Sequence, residues 1–273
     1  MGAIDVWAQI TTPRMAAAPW LKTLLRWTGR PDDASVPTVE TTLAAMDEGG
    51  VEIALLSAWC GPDGVLISNE DVAEKIEQAP DRFRGLATVD LRDPMQAVRD
   101  IRRWVDGDRF VGVRVVPWLW DLPPNDRRYY PVYVACIEAG VPFCTQIGHT
   151  GPLCRSEPGR PIPYLEDVLL DFPELVVVGG HVGFPWVNEV ISLAHKFPNF
   201  YVDTSAYAVH RLPSELVAFM KGGGKSRVLF GTNWPMLSPS RCLAGLDALD
   251  LADDVKDLFL AGNARRVFNL PGA

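Results

Sequence analysis

The sequence is short of the side chains that hold metals and disulfides. It has four histidines and five cysteines in 273 residues. The cysteines, Cys60, Cys136, Cys144, Cys154 and Cys242, are odd in number and form no Cys-x-x-Cys pair. That excludes a fully paired disulfide framework and a zinc ribbon. Basic residues are also outnumbered: 26 Lys and Arg against 34 Asp and Glu leave a net charge of −8. A surface that tracks nucleic-acid phosphates or anionic lipid needs the opposite balance. No apolar run approaches the ~18 residues of a membrane-spanning helix. The segment Met1–Ile10 has neither a basic stretch nor a signal-type apolar core. The chain therefore reads as soluble and cytoplasmic, with a small molecule rather than nucleic acid or a membrane as its partner. Ser57 lacks a Gly-x-Ser-x-Gly elbow, and Gly222-Gly223-Gly224-Lys225 precedes a strand instead of opening a helix. Neither a serine hydrolase nor a phosphate loop is indicated.

What is present is an alternation. Short β-branched or apolar runs occur at 4–10, 51–57, 83–89, 110–116, 141–147, 175–179, 200–203 and 228–231. Amphipathic stretches separate them, at 38–48, 69–79, 94–105, 130–139, 162–171, 185–197 and 213–221, and 253–260 follows the last. A strand–helix unit repeated to this count predicts a single (β/α)8 TIM barrel over residues 1–273. Ser68 or Asn69 is placed to cap a helix, and Pro94 and Pro213 suit first-turn positions. In such a barrel the site lies in the loops after the strands. Three of these loops are long: 11–37, 117–128 and 148–161. The apolar stretch 15–27 suits either a lid or a helix packed on the barrel.

Two histidines directly follow strands and precede glycine, in His149-Thr150-Gly151 and His181-Val182-Gly183. A histidine at a strand end can project into the mouth and move a proton. His195 falls on a helix face, and His210 sits in a loop with either orientation open. Arg114 ends the fourth strand, where it could grip a carboxylate bidentately or pair with Asp90. Trp59, Trp118, Trp120, Phe184, Trp186 and Trp234 fall near the mouth and suit a flat or apolar substrate. Cys60 and Cys154 lie in loops and are the cysteines open to a nucleophilic role.

Five segments, in order, carry a family resemblance: Ile4-Asp5-Val6-Trp7-Ala8-Gln9-Ile10, Phe110-Val111-Gly112-Val113-Arg114, Val178-Gly179-Gly180-His181-Val182-Gly183, Leu229-Phe230-Gly231-Thr232-Asn233-Trp234-Pro235 and Gly262-Asn263-Ala264-Arg265-Arg266-Val267-Phe268. The chain resembles amidohydrolase-related proteins of the aminocarboxymuconate-semialdehyde decarboxylase type, whose barrel is of the metallo-dependent-hydrolase kind. Such proteins commonly bind a divalent metal through two first-strand histidines, a fifth-strand histidine and an eighth-strand aspartate. This sequence has Trp7, Gln9, Gln146 and Asn233 at the matching positions. The resemblance makes His181 the histidine that activates water or shuttles a proton, with His149 as its partner.

Amide side chains are weak ligands, and an indole has no lone pair to offer a metal. The expectation is therefore a site with no metal and no other cofactor. His181, His149 and Asn233 would be the catalytic groups. Trp7, Gln9, Gln146, Arg114, Trp118 and Trp234 would bind the substrate, a flat or apolar carboxylic acid derivative. The amides of Gln9, Gln146 and Asn233 would donate to an oxyanion while His181 activates water. That reading is a metal-independent hydrolase of an ester, lactone or thioester. Decarboxylation of an unsaturated or aromatic acid is the alternative the resemblance implies, and a non-catalytic ligand-binding paralogue is a second. A different metal site, built from His149, His181 and an acid, also stays open. A homodimer is compatible with the sequence but nothing in it decides the point.

Overall fold

In the computed structural model, which describes residues 2–28 and 36–272, the alternation closes into a barrel. The parallel strands are β1 (Ala3–Ala8), β2 (Val51–Ser57), β3 (Phe83–Ala87), β4 (Phe110–Arg114), β5 (Phe143–Gln146), β6 (Val177–Gly180), β7 (Phe200–Asp203) and β8 (Val228–Leu229). They pair in sequence order as one 8-stranded sheet. The seam between β8 and β1 is stitched by Val6 N–H to Phe230 O (3.0 Å), Asn233 N–H to Trp7 O (2.7 Å) and Gln9 N–H to Trp234 O (3.0 Å). Closure leaves no edge strand in the barrel.

Two apolar layers follow from the pleat. Ile4, Leu55, Leu86, Val111, Val178 and Leu229 belong to one buried cluster drawn from nearly every strand, which only the barrel interior can assemble. Ala264 and Phe268 of the C-terminal segment join it. The opposite faces, with Ala54, Leu56, Val113 and Val202, pack against the helices. The helix signals hold where they rest on chemistry. Ser68 and Asp71 form a reciprocal capping box, and the helix at Pro94–Trp104 opens on its proline. Pro213 instead stands just before a helix at Ser214–Lys221. A short antiparallel hairpin, Trp59–Gly61 with Gly64–Ile67, is an addition that the strand–helix alternation did not foresee.

The stretch after β1 resolves in favour of packed helices. Pro13–Ala16 and Pro19–Leu25 are helical, with Met15, Leu21 and Leu25 buried. Residues 29–35 of the long loop 11–37 lie outside the described residues. Trp27 Nε1 donates to Gly151 O at 3.2 Å, which ties this segment to the loop after β5. Among the described residues no helix is long and apolar enough to cross a membrane.

Candidate active site

The C-terminal ends of the strands open into a cavity of about 380 Å³. Trp7, Gln9, Gln146, His181 and Asn233 line it, so most of the residues singled out from the sequence converge there. His149 and Trp118 line it as well.

Trp7 sits at the centre of the floor. Strand β1 loses its register between Asp5 and Ala8, and the Trp7 N–H turns onto Asp5 Oδ1 (3.0 Å). Such an irregularity re-aims a side chain. The indole lies over the Arg114 guanidinium, 3.7 Å from carbon to ring centroid. Its rim fills the space that a side chain at residue 180 would need: a Cβ on Gly180 would be 2.2 Å from Trp7 Cζ3 and 2.9 Å from Asp203 Oδ2. Gly180→Ala should therefore destabilise the fold by ~1–3 kcal/mol, the usual cost of overpacking, as urea unfolding would show. Unchanged stability would mean that Trp7 has room to move.

Arg114 is in the wrong place for its expected role. It is 1% exposed and does not line the cavity, because Trp7 covers it. Its guanidinium donates to Val6 O (2.8 Å) and to Ser57 Oγ. Asp90 pairs with Arg92 instead, at 2.6 Å. Trp234 also turns away: its Nε1 donates to Thr42 Oγ1 (3.2 Å), and it does not line the cavity. Asp5 proves to be an orienting acid, accepting the N–H of Thr232 at 2.9 Å and its hydroxyl, and so fixing the turn that carries Asn233.

The amides are present but point the other way from the oxyanion cradle. Gln9 Nε2 donates to Trp234 O, Asn233 O (3.4 Å) and Asn233 Oδ1 (3.1 Å). Gln146 Nε2 is surrounded by the carbonyls of Ile147 (3.1 Å), Gly148 (3.2 Å) and His149 (2.9 Å). Both donors are committed, and the oxygens Gln9 Oε1 and Gln146 Oε1 are left buried without partners. Backbone carbonyls fix these orientations, since the reversed amide would set oxygen against oxygen. Of the three amides, Asn233 alone keeps an Nδ2 with no acceptor among the described residues.

His181 follows β6 with φ +72°, in the left-handed region. Its Nδ1 lies 2.6 Å from Ser205 Oγ, and Ser205 Oγ donates to Asp203 Oδ1. Burial first, then the Arg114 charge and His149, depress its pKa from 6.5 to about 3, so the imidazole is neutral. Burial raises Asp203, with Arg114 and Ser205 opposing. His149 is half-buried, edge-on to Trp27 (6.0 Å) and Phe184 (5.6 Å), and burial lowers its pKa too.

Trp20, Trp59 and Trp118 stack into one aromatic wall, with ring centroids 5.1–6.3 Å apart. Trp59 and Trp118 face the cavity, and Trp27 faces it from another side. Sequence reasoning missed the cationic rim. Arg211 follows β7, Arg241 follows β8, and both line the cavity beside His210. Neither guanidinium has an ion-pair partner among the described residues. Cys60 and Cys154 do not line it; burial pushes the Cys60 thiol up to about 11, so a nucleophilic role is not supported.

A family model described as amidohydrolase matches residues 63–270. The gamma-resorcylate decarboxylase of Rhizobium sp. (strain MTP-10005) is 25% identical, covering 86% of this chain and 88% of its own. An uncharacterised TIM-barrel protein of Bordetella bronchiseptica, Bb4693, superposes with a TM-score of 0.84 at 24% identity over 100% of both chains. A dihydroxybenzoic acid decarboxylase from Polaromonas sp. JS666, solved with manganese and 2-nitroresorcinol, gives a TM-score of 0.70 at 20% identity over 100% of this chain and 98% of its own.

Two expectations are corrected by these findings. The hydrolase reading gives way, because the relatives are decarboxylases; its physical basis fails too, since the Gln9 and Gln146 donors are spent on carbonyls. The expectation of no cofactor also falls: solved decarboxylase neighbours hold manganese. The residues around this cavity do not fit such an ion. Amide oxygens and the imidazoles of His149, His181 and His210 bring no negative charge, and the Arg114 cation lies behind Trp7. Among the described residues no three His, Cys, Asp or Glu side chains come together as a metal-binding group, so the cluster of His149, His181 and an acid does not form.

Proposed function

The chain belongs to the amidohydrolase family and is an enzyme, and from that premise we propose that it is a decarboxylase of an aromatic or unsaturated carboxylic acid. The observation that carries the reading is one cavity with an aromatic wall, a fixed neutral imidazole in its floor and, at its rim, two guanidinium groups with no ion-pair partner among the described residues. The flat part of the substrate lies against Trp59 and Trp118. Arg211 and Arg241 meet its carboxylate. His181 handles the proton, and Asn233 Nδ2 donates to a substrate oxygen.

Decarboxylation replaces a C–CO2⁻ bond by C–H. A proton adds to the carbon that carries the carboxylate, the C–C electron pair returns to the carbon framework, and CO2 leaves. An imidazole with a pKa of about 3 is neutral before the acid binds, with one ring hydrogen and no second proton to give. An arriving carboxylate beside the ring favours its charged form and raises that pKa against the burial and the Arg114 charge that depress it. His181 thereby gains the proton it delivers, and an anionic substrate assembles its own acid.

Release of CO2 tests the reading. The purified protein is offered hydroxylated aromatic carboxylates, with 2,6-dihydroxybenzoate and 5-carboxyvanillate among them and manganese supplied. CO2 from at least one acid is expected. Binding of these acids without CO2 release from any of them would overturn the decarboxylase reading. The doubly substituted Arg211→Ala, Arg241→Ala protein should bind the active carboxylate ~10–100-fold more weakly, the worth of charge-assisted hydrogen bonds. Unchanged KM would place the carboxylate elsewhere.

A further inference from the structure

The chain Asp203–Ser205–His181 has a direction, and the direction has a chemical consequence. Asp203 Oδ1 accepts the Ser205 backbone N–H at 2.8 Å, so it acts as an acceptor there. The same oxygen takes the Ser205 hydroxyl hydrogen. Ser205 Oγ has then used its only hydrogen, and what it turns to His181 Nδ1 at 2.6 Å is a lone pair. A lone pair opposite a ring nitrogen requires a hydrogen on that nitrogen.

We propose that Ser205, backed by Asp203, is a positioning residue that holds His181 as the Nδ1–H tautomer and so presents Nε2 to the cavity as a bare acceptor. Ser205 is fully buried and Asp203 likewise, so water does not compete for either bond. Nε2 has no partner among the described residues, and His181 lines the cavity. The opposite tautomer would set the Nδ1 lone pair against the Ser205 lone pair. When His181 takes up a proton, Nε2 receives it, and the hydrogen that can reach substrate carbon is on the nitrogen that faces the substrate. Nδ1–H stays bonded to Ser205 throughout, so the ring keeps its orientation in both states. The second half of this statement rests on the decarboxylase reading; the tautomer does not.

The test separates the two. Nitrogen-15 spectra of the labelled full-length protein, with the His181 signals assigned by their loss in His181→Asn, report each ring nitrogen. A pyrrole-type Nδ1 and a pyridine-type Nε2 are expected in the wild type at neutral pH. Ser205→Ala should bring the two signals toward a tautomer average and lower kcat by ~10–100-fold with KM little changed, as for loss of one buried hydrogen bond. Ser205→Thr, which keeps the hydroxyl, should restore both readouts. A pyrrole-type Nε2 in the wild type overturns the proposal whether or not the protein releases CO2, and so does a Ser205→Ala protein with unaltered nitrogen shifts. Should Ser205→Ala not fold, the wild-type spectrum alone decides.

Discussion

His181→Asn is expected to lower kcat for decarboxylation by at least ~10²-fold, and by as much as ~10⁴-fold if proton transfer limits turnover. Asparagine is the cleaner replacement here. The backbone at residue 181 has φ +72°, where most side chains are strained and asparagine is tolerated. An alanine variant would mix lost chemistry with a shifted loop. The asparagine variant should melt close to the wild type and still bind the carboxylate, because the arginine rim is untouched. Activity within tenfold of wild type would remove His181 from the proton-transfer step and bring His149 or His210, which also line the cavity, into its place.

The same imidazole links function to pH. Protons taken up as the acid binds can be counted calorimetrically in buffers of different ionisation enthalpy. Uptake approaching one proton at neutral pH, lost in His181→Asn, is what substrate-induced charging of His181 requires.

The barrel was legible because strands buried on both faces read as continuous apolar runs and each is followed by an amphipathic stretch. The residues at 200–203 and 130–139 match their elements to the residue. The hairpin at 59–67 was not seen, although Pro62-Asp63-Gly64 between Trp59-Cys60 and Val65-Ile67 is turn chemistry. Its strands are too short to show alternation. For the site, residue type and strand end were readable, but atom and direction were not. Gln9 and Gln146 were found, yet which end of each amide faces the cavity depends on carbonyls from Trp234 and from the turn after β5. Arg114 ends its strand as expected, but Trp7, which comes from β1 and not from either strand beside it, lies across it. Arg211 and Arg241 come from segments with no periodicity, where only the folded loops reveal a common cavity.

Asp5→Asn is expected to stabilise the protein at neutral pH, by up to ~4 kcal/mol if the whole shift is realised. Asp5 is 1% exposed. Burial, with the Asp203 charge adding to it, raises its pKa from 3.8 to about 7 against the opposing bonds from Thr232 and Trp7. Between those values the folded state holds a proton that the unfolded chain has lost. Stability from this group is therefore fully present below 3.8 and is lost as pH rises through about 7. His181 works in the reverse sense. Its folded pKa of about 3 lies below 6.5, so the unfolded state binds the extra proton and stability is lost as pH falls through that window. The two slopes oppose one another from 3.8 to 6.5, so Asp5 offsets much of the His181 slope in the wild type. Asparagine is isosteric with the neutral acid: its oxygen can accept the Trp7 and Thr232 N–H groups, and its amide can donate to the Thr232 hydroxyl. With Asp5 gone, the His181 slope is opposed only by Asp203, whose carboxyl burial also raises. Urea unfolding from pH 4 to pH 8 should show the two proteins converging at the acid end and the variant pulling ahead as pH rises. Parallel curves would mean that Asp5 is ionised in the folded barrel, held by its Thr232 bonds against the cost of burial.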